Sequence, residues 1–106
     1  MLMTMNEILG PNGFGDSKKL KGKDVKICKK WIEEWVTPRK TINPNKGSYG
    51  LKHSVEKWSR DYIPNGAFIK AAIELGYKYE EFGPNAIFNM SFVKARKSPT
   101  DSRIDR

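Results

Sequence analysis

Residues 48–77, SYGLKHSVEKWSRDYIPNGAFIKAAIELGY, constrain the fold of this chain more than any other stretch. Leu51, Val55, Trp58 and Tyr62 recur at i, i+4, i+7 and i+11, which predicts the apolar face of a helix. Ile63-Pro64-Asn65 then breaks it, because a proline disfavours the α conformation in the residue before it and Asn65 suits the N-cap of a new helix. The second helix carries a broad stripe of Phe68, Ile69, Ala72, Ile73 and Leu75 and runs out at Gly76, a residue suited to helix C-termini. So short a joint makes the two helices cross steeply, as in a helix-turn-helix. Helical hairpins of this size also serve as plain core, and both readings stay open.

At 106 residues there is room for one domain. Only 38% of residues are apolar, but three Trp, four Tyr and five Phe supply large buried areas. No apolar run is long enough to cross a bilayer, and the Met-rich start lacks the regions of a signal peptide. A single Cys28 excludes an internal disulfide and fits a reducing cytoplasm, most simply as a small buried hydrophobe. The expected location is the cytoplasm.

The net charge of +8 is concentrated. Between Lys18 and Lys52 there are eleven Lys/Arg against Asp24, Glu33 and Glu34, whereas residues 53–93 carry four basic and five acidic groups. A basic half beside a neutral half is the footprint of a protein that meets a polyanion on one side. Nucleic acid is the commonest such partner. A membrane surface is not expected, because no terminal segment pairs a strong apolar face with a basic one.

Residues 1–23 read as a flexible arm. Within it, ILGPNGFGDS has the glycine spacing of a phosphate loop, with Gly10, Gly15 and Ser17 in register. Asp16 stands where the lysine is required, so the match fails and a flexible Gly-rich loop is expected. A weaker idea is that its amides, with Lys18 and Lys19, form a small anion nest.

Asp24 is placed as the N-cap of a helix to Val36, with Val25, Cys28, Trp31 or Ile32, and Trp35 on one face. Two Trp one turn apart read as core anchors. Thr37-Pro38 ends the helix, and RKTINPNKGS reads as a loop exposing Arg39, Lys40 and Lys46, either a connector or a source of phosphate contacts. His53 has no Cys or second His nearby, so neither a zinc site nor a nucleophile–base pair is indicated. No enzymatic activity and no cofactor are expected.

Beyond Gly76 the period changes to alternation, with Ala86, Phe88, Met90 and Phe92 on one side of a strand after the Gly83-Pro84-Asn85 turn. The expected fold is therefore α+β and mostly helical: three helices, helix-turn-helix-like, followed by a β-hairpin, winged-helix-like. One compact domain spans 24–93, and residues 94–106 form a disordered basic tail.

On this reading Lys26, Lys29, Lys30, Arg39, Lys40, Lys46 and Lys52 contact phosphates, while Asn65 and Lys70 approach the groove. The face with Asn65, Lys70 and Glu74 is thin in base-reading groups, so backbone contact is favoured over sequence recognition, with DNA placed ahead of RNA. Use of such elements in symmetric pairs also suggests a homodimer.

Residues 42–93, through SYGLKHSVEKW, YIPNGAFIKAAIELGY and PNAIFNMSF, resemble a family of small uncharacterised proteins of bacterial phages and plasmids. The resemblance implies a mobile element in a bacterial cytoplasm and carries no site with it. In that setting small basic proteins serve as DNA-binding accessory factors, the first choice here. The alternative is an anti-defence inhibitor, anti-CRISPR-like, that binds a host protein or ribonucleoprotein.

Overall fold

A computed structural model describes residues 8–92. The order is β1 (Leu9–Gly10), β2 (Gly13–Phe14), α1 (Gly22–Trp35), β3 (Val36–Gly47), α2 (Ser48–Ser59), α3 (Asn65–Glu74), β4 (Tyr79–Phe82) and β5 (Asn85–Phe92). The first seven residues of the expected arm and the expected tail at 94–106 lie outside the described residues. No described helix is long and apolar enough to cross a membrane.

The expected mostly helical chain, with three helices and then a winged-helix-like hairpin, is not what forms. The domain is α+β with about 42% helix and 33% strand. The difference lies at 36–47, read as helix end and loop. Val36 is already extended at φ −129° and ψ 140°, and α1 passes straight into β3. The three-stranded antiparallel sheet has the order β3-β5-β4, so a strand between the first two helices pairs with the last of the described strands.

The prolines that suggested a loop are tolerated because β3 is an edge strand, where a missing N–H can face solvent. Its register with β5 breaks between Pro38 and Asn43 and again before Gly47. Side-chain amides repair the breaks: Asn43 Nδ2 donates to Met90 O at 3.0 Å, and Asn89 Nδ2 donates to Arg39 O at 2.9 Å. Asn89 Oδ1 also accepts the Lys78 N–H at 2.7 Å, so one buried amide ties the central strand to both sides.

The core lies between this sheet and the helices. Val25, Cys28, Trp31 and Ile32 of α1 meet Phe68, Ile69 and Ala72 of α3 and Ala86, Phe88 and Met90 of β5. Trp31, Phe68 and Phe88 touch edge to face at centroid distances of 6.0 and 5.7 Å, which adds about 0.5–1.5 kcal/mol per pair beyond burial. Ala67 and Ala71 are buried as well, which makes α3 the central helix.

Two helix boundaries differ from expectation. Asp24 is not a cap: Lys21 holds the N-cap position and Asp24 is buried in the first turn. α2 stops at Ser59, closed by Arg60 in the left-handed conformation (φ 66°). That turn takes Tyr62 off the helix face and leaves it 72% exposed; of the predicted stripe, Leu51 and Val55 are buried while Trp58 stays 40% exposed.

Candidate functional site

The nine residues expected to meet nucleic acid do not behave as one set. Lys26 and Lys30 on α1 and Arg39, Lys40 and Lys46 on β3 are exposed. Arg39 donates to Thr41 Oγ1 at 3.0 Å, and the Lys46 ammonium lies 5.8 Å from the Phe92 ring centroid. Among the described residues, no carboxylate lies within ion-pair distance of these five.

The other four are turned inward or paired. Lys29 and Lys70 both meet Glu74, at 2.8 and 3.3 Å. Hydrogen bonding from Lys29, then Lys70, outweighs partial burial and holds the Glu74 carboxyl below its usual range. Lys52 is only 5% exposed and pairs with Glu56 at 3.1 Å. Asn65 is 7% exposed in the interior. Of the expected groove-facing pair, Asn65 is thus internal and Lys70 shares one carboxylate with Lys29, and α3 serves as core.

The Gly-rich loop is neither a phosphate loop nor a free nest. It forms the β1–β2 hairpin, in which Asp16 accepts the N–H groups of Asn12 at 2.9 Å and Lys18 at 3.1 Å. These bonds, Asn12's first, lower the Asp16 pKa. The protein's own carboxylate therefore fills the place an anion would take.

Three Pro-Asn dipeptides, 11–12, 64–65 and 84–85, come together from distant parts of the chain. Gly66 N–H donates to Pro11 O at 3.0 Å and Phe14 N–H to Pro84 O at 3.0 Å. Asn65 does not cap its helix with its side chain. Its Nδ2 shares two hydrogens among Asn85 Oδ1, Asn12 O and Pro84 O, at 2.8, 3.3 and 3.4 Å. Its buried Oδ1 has no hydrogen-bond partner among the described residues.

These turns and the start of α2 enclose an open pocket of about 480 Å³ lined by Asn12, Asn65 and Asn85, by Tyr49 and Tyr62, and by Lys52. The Lys52 ammonium sits 5.3 Å from the Tyr49 ring centroid and 4.9 Å from that of Tyr62, an arrangement stabilised by the negative ring faces. Glu56 anchors it from behind. Its carboxylate accepts from Lys52 Nζ, from Ile63 N–H at 3.0 Å and from His53 Nδ1 at 2.9 Å. Desolvation pushes the Glu56 pKa up, but the Ile63, Lys52 and His53 bonds together prevail and lower it.

Tyr49, Tyr62, Asn12 and Asn85 were not expected from sequence to form a site; Tyr62 was read as part of a helix face and Asn85 as part of a turn. The available signal was repetition of the turn-forming Pro-Asn pair at 11–12, 44–45, 64–65 and 84–85, of which all but 44–45 meet at the pocket. Among the described residues, no group of three or more His, Cys, Asp or Glu could hold a metal ion. Comparison with protein-family models, with curated proteins and with solved structures gives no match.

Proposed function

We propose that this protein is a non-enzymatic nucleic-acid-binding protein of the bacterial cytoplasm that contacts mainly the phosphate backbone. One observation supports this above the others. Arg39, Lys40 and Lys46 stand exposed and, among the described residues, without ion-pair partners on one edge strand of the sheet, while Glu80 and Glu81 lie on the strand at the other edge. Lys26 and Lys30, one turn apart on α1, extend the same sign onto the helix that runs into that strand. Unpaired cations keep their full attraction for phosphate, whereas Glu56 balances Lys52, and Lys29 and Lys70 share Glu74 and keep one positive charge between them.

The test is a salt series of binding to random-sequence DNA and RNA, run on the unaltered protein and on an Arg39→Glu/Lys40→Glu/Lys46→Glu variant. Binding is expected to weaken steeply with salt, and the slope to fall by about 0.9 for each duplex phosphate that the variant no longer neutralises. A Lys70→Glu control is expected to keep the original slope. No affinity for either polymer near physiological salt sinks the proposal.

A further inference from the structure

We propose that the pocket between the three Pro-Asn turns holds one unstacked nucleobase of a single-stranded nucleic acid, an inference that rests on the polyanion reading above. Tyr49 and Tyr62 are 56% and 72% exposed, and both border the same concavity. Lys52 takes one face of each ring, and exposure this high leaves the other open to stacking, which single-strand binders use because every base has a π-face. The cavity volume of about 480 Å³ lies in the range that small planar ligands occupy.

Below the rings the lining is amide. Base edges are read by groups that donate and accept together, as Asn does. Asn65 contributes a buried Oδ1 with no partner among the described residues, an acceptor of the kind an exocyclic amino group satisfies. Lys52 is already neutralised by Glu56 and leaves the phosphates to other cations. A proline-rich peptide could stack on the same rings, but a prolyl residue has no N–H to give Asn65 Oδ1.

The experiment is fluorescence anisotropy of the full chain with a labelled mixed-sequence single strand and with the corresponding duplex, at physiological salt. Tyr62→Ala is expected to weaken single-strand binding about tenfold and to leave duplex binding within error, whereas Tyr62→Phe keeps the ring and the affinity. Equal effects of Tyr62→Ala on both polymers, or none on either, overturn the pocket proposal and leave the phosphate reading standing. Binding of a proline-rich peptide that Tyr62→Ala abolishes, with the single strand unaffected, assigns the pocket to peptide and also overturns it. If the unaltered protein binds neither polymer, the phosphate reading itself fails and takes the pocket with it.

Discussion

A Cβ on Gly66 would overlap the carbonyl oxygen of Gly10, so the start of α3 and the N-terminal hairpin touch backbone to backbone. The obstacle is main chain on both sides and cannot rotate away. Gly66→Ala is therefore expected to destabilise the fold by about 1–3 kcal/mol, the usual cost of overpacking. The Gly66 N–H bond to Pro11 O is expected to break at the same time. Thermal unfolding reads the first effect, and faster amide exchange across residues 8–16 reads the second. An unchanged midpoint would mean that the hairpin does not dock as described.

Asn65 makes a sharper chemical prediction. In Asn65→Asp the shape is kept, but a carboxyl faces Asn12 O, Pro84 O and Asn85 Oδ1. Asn85 can turn its amide to donate; the two backbone carbonyls cannot. Ionisation is disfavoured there, so the new group's folded pKa rises above the ordinary Asp value of about 3.9. The penalty is small while the group is protonated, grows as pH rises past the unfolded value, and levels off above the folded one. Urea unfolding against the parent protein is expected to show a deficit of about 1–3 kcal/mol at neutral pH and a smaller one in acid. A deficit independent of pH sinks the assignment.

Legibility of the sequence followed the range of the interactions. Alternation in Ala86, Phe88 and Met90 and helical spacing in Val25, Cys28 and Ile32 report one-sided burial, and those side chains are buried. The strand at 36–47 was hidden because its Pro, Asn and Gly oppose strand formation locally, while its support comes from Met90 O and Asn89 on another strand. Tyr62 followed the helical period yet lies beyond the helix, since Arg60 turns the chain before the pattern ends. At the candidate site, charge could be counted but pairing could not. Nothing local marks Lys29 as bound to Glu74 and Lys30 as free of such a partner among the described residues, although the two are neighbours.

Cys28 is expected to be chemically silent in the folded protein. Burial, with a smaller contribution from the Asp24 carboxylate, pushes its thiol up to about 12, so the reactive thiolate is scarce at neutral pH. A disulfide reagent should label native protein only through opening events, at a rate that rises in step with added denaturant. Gly66→Ala, by lowering stability, should accelerate labelling. Labelling of the native chain at the speed of a free thiol would contradict the burial described here.

Acid should loosen the turn between α2 and α3. The Glu56 pKa is depressed in the fold, so its contribution is fully present above the unfolded value of about 4.3 and is lost as pH falls through the lower folded one. Protonation removes an acceptor from Lys52, Ile63 and His53 together. Glu56→Gln is expected to cost about 1–2 kcal/mol at neutral pH, with the difference from the parent shrinking in acid. Asp16 and Glu74 are depressed as well, so only the difference between parent and variant isolates Glu56. Equal acid sensitivity in the two proteins would assign the effect elsewhere.

Lys29 and Lys30 separate stability from binding. The Lys29 ammonium joins α1 to Glu74 of α3 at 2.8 Å, with both side chains more than a third exposed, so the pair is worth no more than about 1 kcal/mol. Lys29→Glu is expected to lower stability by about that amount at low salt and by less as salt screens the new repulsion from Glu74. Lys30→Glu removes no ion pair among the described residues and is expected to stay within about 0.5 kcal/mol of the parent. For nucleic-acid affinity the order reverses: Lys30→Glu deletes an available cation, whereas Lys29→Glu deletes one whose charge is partly met by the Glu74 it shares with Lys70. Measured together by denaturant unfolding and by salt-dependent binding, the two neighbours should exchange ranks between the assays. The same rank in both would show that charge count, and not pairing, governs binding.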